Sequence, residues 1–232
     1  MGVIFSKGHK NEDITKSNTY LLFSLKKKDN NIYYSYEYML IIIIYNFLTM
    51  VNVLDKWINE IGQDFFKKNL GIRSGQKILD FGSGWGGNAI AISKIVVPNG
   101  YVYAFEKDRD SINKMLRIAD ESSKKNLKVI IAKEKIRTPI PDSELDVALL
   151  YDVIHDYYFN SLERKILFRE MSRIVKRRGM LSVFPHHISS SEIVIIKKEL
   201  SDAGFEYSNK ITGTIMHDSI LILDSVYNFN KN

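Results

Sequence analysis

The 232-residue chain contains no cysteine, so neither a disulfide framework nor a thiolate-ligated zinc site is available to it. It also lacks an uninterrupted apolar run of the about 20 residues that a spanning helix needs. The nearest approach, Met39–Leu54, is 16 residues long and is weakened by Asn46 and Asn52. No internal repeat is evident. Charge of one sign is nowhere concentrated: the net charge is +6, and basic residues cluster only in short runs such as Lys26-Lys27-Lys28 and Lys176-Arg177-Arg178. Nucleic-acid binding usually rests on a dense basic face, so a solvated surface is expected and a nucleic-acid partner is not. What the chain does have is core-forming material. At 45% hydrophobic and 12% aromatic, it can bury a full core in one or two domains.

The chain divides near Met50. Residues 1–37 are polar, rich in Asn and Lys, and without a sustained helical period, which is expected of a poorly ordered extension. Residues 39–54 then offer three readings: a membrane anchor, a strand or helix packed on the domain, or a segment outside the working domain. The expected organisation is therefore an N-terminal extension over 1–50 and one folded domain over 51–232.

From Leu54 the elements alternate. Apolar residues at Leu54, Trp57, Ile58, Ile61, Phe65 and Phe66 have helical spacing and predict a helix over Leu54–Asn69. Strands are predicted at Lys77–Phe81, Tyr101–Phe105, Leu127–Ala132, Leu145–Tyr151 and Met180–Phe184, the last preceded by a stop at Gly179. Helices are predicted at Asn88–Val96, Arg109 to about Ser123, Ser161–Val175, and from the Ser189-Ser190-Ser191-Glu192 cap to Ala203. Phe205–Thr212 and Ser219–Tyr227 close the chain as a pair of strands. This alternation is that of a doubly wound α/β sheet.

The most informative segment is Lys77-Ile78-Leu79-Asp80-Phe81-Gly82-Ser83-Gly84-Trp85-Gly86-Gly87. An apolar strand runs into glycines and then a helix. Such a turn lets the backbone approach a ligand closely and aims the helix N-terminus at it. Gly82, Gly84 and Gly87 satisfy the dinucleotide pattern G-x-G-x-x-G; Gly82, Gly84 and Gly86 satisfy a tighter G-x-G-x-G. Asp80 weighs on the choice. A carboxylate here repels a pyrophosphate, whereas a ligand carrying a sulfonium and an ammonium gains from it. Opposite charges about 4 Å apart are worth roughly 4 kcal/mol at an effective dielectric near 20. S-adenosylmethionine is thus favoured over a nicotinamide dinucleotide. Glu106, 20 residues past Gly86 at the end of the second strand, is placed to accept hydrogen bonds from ribose hydroxyls.

Together with the Pro141-Asp142 turn leading into Asp146 and the apolar run to Tyr151, these segments resemble the class I S-adenosylmethionine-dependent methyltransferases over roughly Leu54 to Tyr227. The resemblance implies a mostly parallel seven-stranded sheet with an antiparallel last strand. It implies S-adenosylmethionine as cofactor, held by Asp80, Gly82, Ser83, Gly84 and Gly86, by Glu106 and Lys107, by Tyr151, and by Glu134 and Lys135 at the adenine. Where Glu134-Lys135 stands, the family more often has Asp-Ala. With a cytosolic cofactor and no export pattern read at the N-terminus, the cytoplasm is the expected compartment.

Tyr151-Asp152-Val153-Ile154-His155-Asp156 leaves the fourth strand and faces the transferred methyl. His155 there resembles the histidine of small-molecule O-methyltransferases and is read as a general base or a residue that orients the substrate. Asp152, Tyr157 and His187 are expected to touch the substrate. Pro185-His186-His187 shares that sheet edge and with His155 and Asp152 makes a possible metal cluster, but two adjacent histidines rarely point into one site, the ligand pattern of metal-using relatives is not evident, and no metal is expected. His217 is read as surface or hairpin structure. The expected activity is methyl transfer by in-line displacement to a small-molecule or lipid-like acceptor, with membrane association through 39–54 as an option. The alternatives are a protein or RNA methyltransferase and a non-catalytic cofactor-binding subunit.

Overall fold

The structure, a computed structural model, describes residues 26–28, 31–33 and 36–232. The chain forms two compact units, Met1–Asn52 and Val53–Asn232. In the first, Lys26–Lys28 pairs antiparallel with Asn31–Tyr33, and helix α1 begins, spanning Tyr36–Lys56. The remainder of the extension expected over 1–37 lies outside the described residues. The apolar run Met39–Leu54 is thus part of a 21-residue helix. Its Leu40, Ile43 and Tyr45 side chains are exposed. The helical stretch Met39–Asn69 is the one stretch among the described residues long and apolar enough to cross a membrane by length and composition.

The second unit is an α/β sheet flanked on both faces. After α1, the helical path continues through π-helical turns at Trp57–Ile61 and Phe65–Asn69. Then follow β1 (Lys77–Phe81), α2 (Gly87–Ser93), β2 (Tyr101–Glu106), α3 (Arg109–Ile118), α4 (Glu121–Asn126), β3 (Leu127–Ile131) and β4 (Leu145–Tyr151). The chain closes with α5 (Ser161–Ile174), β5 (Val175–Phe184), α6 (Ser190–Asp202), β6 (Phe205–His217) and β7 (Ile220–Lys231). The seven strands lie in the order β3-β2-β1-β4-β5-β7-β6, and β7 runs antiparallel to both neighbours. This is the Rossmann-like architecture expected.

Period-two alternation divides the core. Ile78, Val102, Ala104, Val147 and Leu149 pack under Trp57, Phe66, α2 and Met115 on one face. Leu79, Phe105, Ala148 and Leu150 pack under Leu167, Phe168 and Met171 of α5 and Ile196 and Leu200 of α6 on the other. Strands buried on both faces read as continuous apolar runs, which is why β1 and β4 stand out in the sequence.

Four elements differ from expectation. The helix predicted from Arg109 to Ser123 is broken: Ala119 is extended, and the Asp120 carboxylate accepts from the Ser123 N–H to start α4. The helix expected over Asn88–Val96 ends at Ser93, although Ile95 and Val96 stay buried. Gly179 does not precede β5 but lies within it, where an added Cβ would meet the Lys176 and Asp146 carbonyl oxygens at 2.9 and 3.0 Å. The closing hairpin is longer than read. β6 and β7 are joined by a two-residue turn at Asp218-Ser219, both at positive φ, as a tight type I′ connection requires.

Candidate active site

β1 ends in a turn whose three glycines sit at φ +74°, +52° and +81° for Gly82, Gly84 and Gly86. Space adds a second constraint at Gly86, where a Cβ would lie 2.3 Å from Met115 Cγ. At Gly84 it would meet nothing within 4 Å, so the backbone there borders open space. The turn is tied to β2 by the N–H groups of Gly82 and Ser83, which donate to the Phe105 carbonyl at 2.8 and 3.2 Å.

Glu106 is aimed by the backbone. Its Oε2 accepts from Gly84 N–H at 2.9 Å, and its Oε1 accepts from Lys107 and Asp108 at 2.7 and 2.9 Å. The carboxylate therefore sits at the mouth of the turn, with Oε2 able to accept another hydrogen bond. Asp80 lies beneath, almost fully buried. It accepts from the Ala89 N–H, while its Oδ2 has no partner. Burial pushes its carboxyl up to about 7; the Ala89 N–H opposes this and the Glu106 charge adds to it.

Two buried polar atoms of this segment have no hydrogen-bond partner: Asp80 Oδ2 and Ser83 Oγ. Native interiors leave few such atoms, and each calls for an explanation. An unpaired carboxylate oxygen and a hydroxyl at an open glycine turn, with Glu106 at its mouth, fit a cationic, hydroxyl-bearing ligand.

The remaining expected residues are placed as follows. Tyr151 is buried against Phe66 and Phe184, its hydroxyl 3.1 Å from Ser182 Oγ. Burial raises its pKa, partly offset by the Ser182 hydrogen bond. Its side chain is thus committed to the core, leaving its backbone for a ligand. Glu134 and Lys135 are exposed on the loop after β3. Lys135 pairs with Glu163 at 2.6 Å. Both border an open groove of about 530 Å³ that also takes in Arg137, Arg169 and Arg173, and no residue of the glycine turn lines it. Trp85 covers the turn with the Lys114 ammonium 2.8 Å from its ring centroid. The side chain of Lys107 is exposed, and its contribution is the backbone N–H on Glu106.

A second cluster lies at the ends of β4 and β5. Asp152 stands at φ +54°, and its N–H donates to the Phe184 carbonyl at 2.9 Å, which locks the two strand ends together. His155 Nε2 and His187 Nε2 each lie 3.8 Å from Asp152 Oδ1, and His217 Nδ1 lies 3.4 Å from Oδ2. Tyr158 packs on His155 at 4.8 Å between centroids, with Tyr157 beyond it and largely exposed. Of the two readings given for His217, hairpin and surface, the structure supports the first: it ends β6 at the hairpin turn, but its side chain is 9% exposed and faces Asp152. His186, 4.2 Å from the His217 ring, joins them. Sequence reasoning missed His217 because it ended β6 at Thr212. The Asp-Ser turn signal at 218–219 would have placed His217 at the strand end.

The comparisons with known proteins bear on this geometry. A family model described as a methyltransferase domain matches residues 72–225. The chain belongs to this methyltransferase family. Its cofactor is S-adenosylmethionine. Solved structures share the fold at low identity. An S-adenosylmethionine-dependent methyltransferase from Aquifex aeolicus is 20% identical, with a TM-score of 0.57 over 77% of this chain and 95% of that one. A TehB-like methyltransferase from Corynebacterium glutamicum is 15% identical, with a TM-score of 0.57 over 81% and 97%. A methyltransferase from Pyrococcus furiosus is 17% identical, with a TM-score of 0.56 over 73% and 81%. No curated protein matches the chain.

Proposed function

We propose that this methyltransferase acts on a small-molecule or lipid-like acceptor in the cytoplasm, at the pocket edge formed by Asp152, His155, Tyr157, Tyr158 and His187. The observation that carries this reading is the composition of that edge. It is built from imidazole and phenol rings around one carboxylate, a lining suited to a compact ring-bearing or hydroxyl-bearing acceptor.

When bound, S-adenosylmethionine supplies an electrophilic methyl group. Glu106, fixed by three backbone N–H groups, accepts hydrogen bonds from the ribose hydroxyls. Asp80 offers its unpaired oxygen to the cationic end of the donor. Ser83 and Gly84 let the backbone approach it. On the acceptor side, His155 takes the proton of the attacking hydroxyl or amine, and Asp152 stabilises the imidazolium that forms. Tyr158, packed on His155, walls the acceptor side. Holding the nucleophile about 3 Å from the methyl carbon is the larger part of the catalysis.

The exposed apolar surface of α1 supports a lipid-like acceptor or membrane association through 39–54. The test is transfer of labelled methyl from S-adenosylmethionine by the full chain to a panel of phenols, amines, carboxylic acids and phospholipids, run beside bulk RNA and unfractionated protein. Label in a small or lipid acceptor, reduced at least tenfold by His155→Ala, is the expected result. Label confined to RNA or protein would refute the reading.

A further inference from the structure

We propose that His186, His187 and His217, with Asp152 beside them, bind one divalent transition-metal ion of the imidazole-preferring class, zinc foremost. One ligand atom from each of the three histidines lies within 4.8 Å of the others. Asp152 stands beside them, its Oδ2 3.4 Å from His217 Nδ1 and its Oδ1 3.8 Å from His187 Nε2. In a four-coordinate site with bonds of about 2.0–2.1 Å, donors stand about 3.3 Å apart. The Asp152–His217 spacing is already at that value. His187, about half exposed on the loop after β5, needs the largest adjustment.

The outer contacts distinguish this cluster from a chance gathering of rings. His186 Nδ1 is 2.7 Å from Asp224 Oδ2, which fixes the tautomer and leaves Nε2 for an ion. His217 Nε2 is 3.4 Å from Asp218 Oδ2, which leaves Nδ1 facing Asp152. A ligating histidine almost always leans its second nitrogen on a carboxylate, a carbonyl or water, and His186 does so on Asp224. Among the described residues, none of Asp152, Asp218 and Asp224 is paired with a lysine or arginine, so the local negative charge has no other cation. Asp152 Oδ1 is buried and without a hydrogen-bond partner. Asp152 is also held at φ +54°, a backbone cost that persists where the surroundings impose it.

The topology explains the convergence. β7 is inserted between β5 and β6, so the β6–β7 hairpin end, carrying His217, rises beside the loop after β5, which carries His186 and His187. Three imidazoles and one carboxylate favour zinc, iron(II), nickel or copper over magnesium or calcium. An acceptor hydroxyl bound to such an ion would lose its proton more readily. That consequence rests on the methyl-transfer reading above; the site itself does not.

The test uses the full chain without an affinity tag, stripped by chelator and titrated with zinc chloride by calorimetry and with cobalt(II) by visible absorption. One ion per chain is expected, with magnesium and calcium binding more weakly than zinc. The double variant His187→Ala/His217→Ala should bind at least a hundredfold more weakly, and Asp224→Asn roughly ten- to a hundredfold more weakly. Binding of S-adenosylhomocysteine reports that each variant is folded. If the double variant fails that check, Asp224→Asn decides. A wild-type chain that takes up no stoichiometric zinc, or variants that bind it as tightly as wild type, would overturn the proposal. Metal binding is read here without methyl transfer, so either reading can fail alone.

Discussion

Asp80→Asn separates what the buried acid costs the fold from what it gives the cofactor. The substitution keeps the shape and removes the ability to ionise. In the folded domain burial holds the Asp80 carboxyl near 7, against an ordinary value of 3.8. At 1.36 kcal/mol per pH unit, that displacement is worth about 4 kcal/mol. The sign follows from proton counting. Between pH 4 and 7 the folded chain keeps a proton that the unfolded chain has lost, so stability falls as pH rises through this window and levels off above it. The asparagine variant lacks this slope. Its amide places a donor where Asp80 Oδ2 has no partner, but protonated aspartic acid carries a comparable orphan.

The two cofactor-free proteins should therefore be similar in stability near pH 4.5 and diverge towards pH 8, where the variant gains about 3 kcal/mol relative to wild type. Urea unfolding at several pH values, followed by the fluorescence of Trp57 and Trp85, measures the difference. S-adenosylmethionine binding should move the other way. At pH 8 the variant loses the attraction of a carboxylate for the cationic donor. If only a third of the roughly 4 kcal/mol for a pair at 4 Å is realised, affinity drops about tenfold. Parallel stability curves from pH 4.5 to 8 would refute the reasoning, because an acid with an ordinary pKa gives no such divergence.

Other outcomes follow from single contacts. Glu106→Gln should weaken S-adenosylhomocysteine binding about tenfold or more in calorimetry, since charge-assisted hydrogen bonds are worth about 1.5–3 kcal/mol. Gly84→Ala and Gly86→Ala should differ in kind. The first forces φ +52° on alanine but meets open space, costing about 1–2 kcal/mol while obstructing the cofactor; the second also drives a Cβ to 2.3 Å from Met115 and should lower the urea midpoint further. Arg164→Met should destabilise by about 3–5 kcal/mol, because Glu199, bonded to the Arg164 Nε at 2.7 Å, is left buried and unpaired. Adding Glu199→Leu should restore much of that loss in the same unfolding assay.

The glycine turn and its approach to Glu106 were legible in the sequence because their parts are local. Asp80, the glycines and the start of α2 are adjacent in the chain, and their turn chemistry is dictated by backbone sterics. Glu106 needed only the length of one βα unit to be placed. The loop after β3 was less legible, because Lys135 is drawn to Glu163, 28 residues away, a pairing that no local pattern encodes. Tyr151 was readable as a strand-end residue, but not as a side chain turned inward onto Phe66 and Ser182, because the face it takes depends on packing against α1's continuation. The break at Ala119 was missed because Asp120 can serve as a helix residue or as a cap, and only its bond to Ser123 decides.

The place of His217 in the histidine cluster was illegible for a different reason: it is set by register. Asp152, His186 and His217 come from the ends of β4, β5 and β6, and their meeting depends on how far each strand runs before it turns. A two-residue turn at Asp218-Ser219 fixes His217 opposite Ile220, and the β5–β7 pairing, with Val183 opposite Tyr227, fixes the height of that hairpin against Phe184. Moving the hairpin by one residue would turn His217 to the other face of the sheet, because side chains alternate along a strand. The glycine turn and Glu106 would be untouched by such a shift. The two clusters can therefore vary separately: the glycine turn and Glu106 are set by one strand-turn-helix unit, whereas the gathering of His217 with Asp152 and His186 is set by the length of a hairpin.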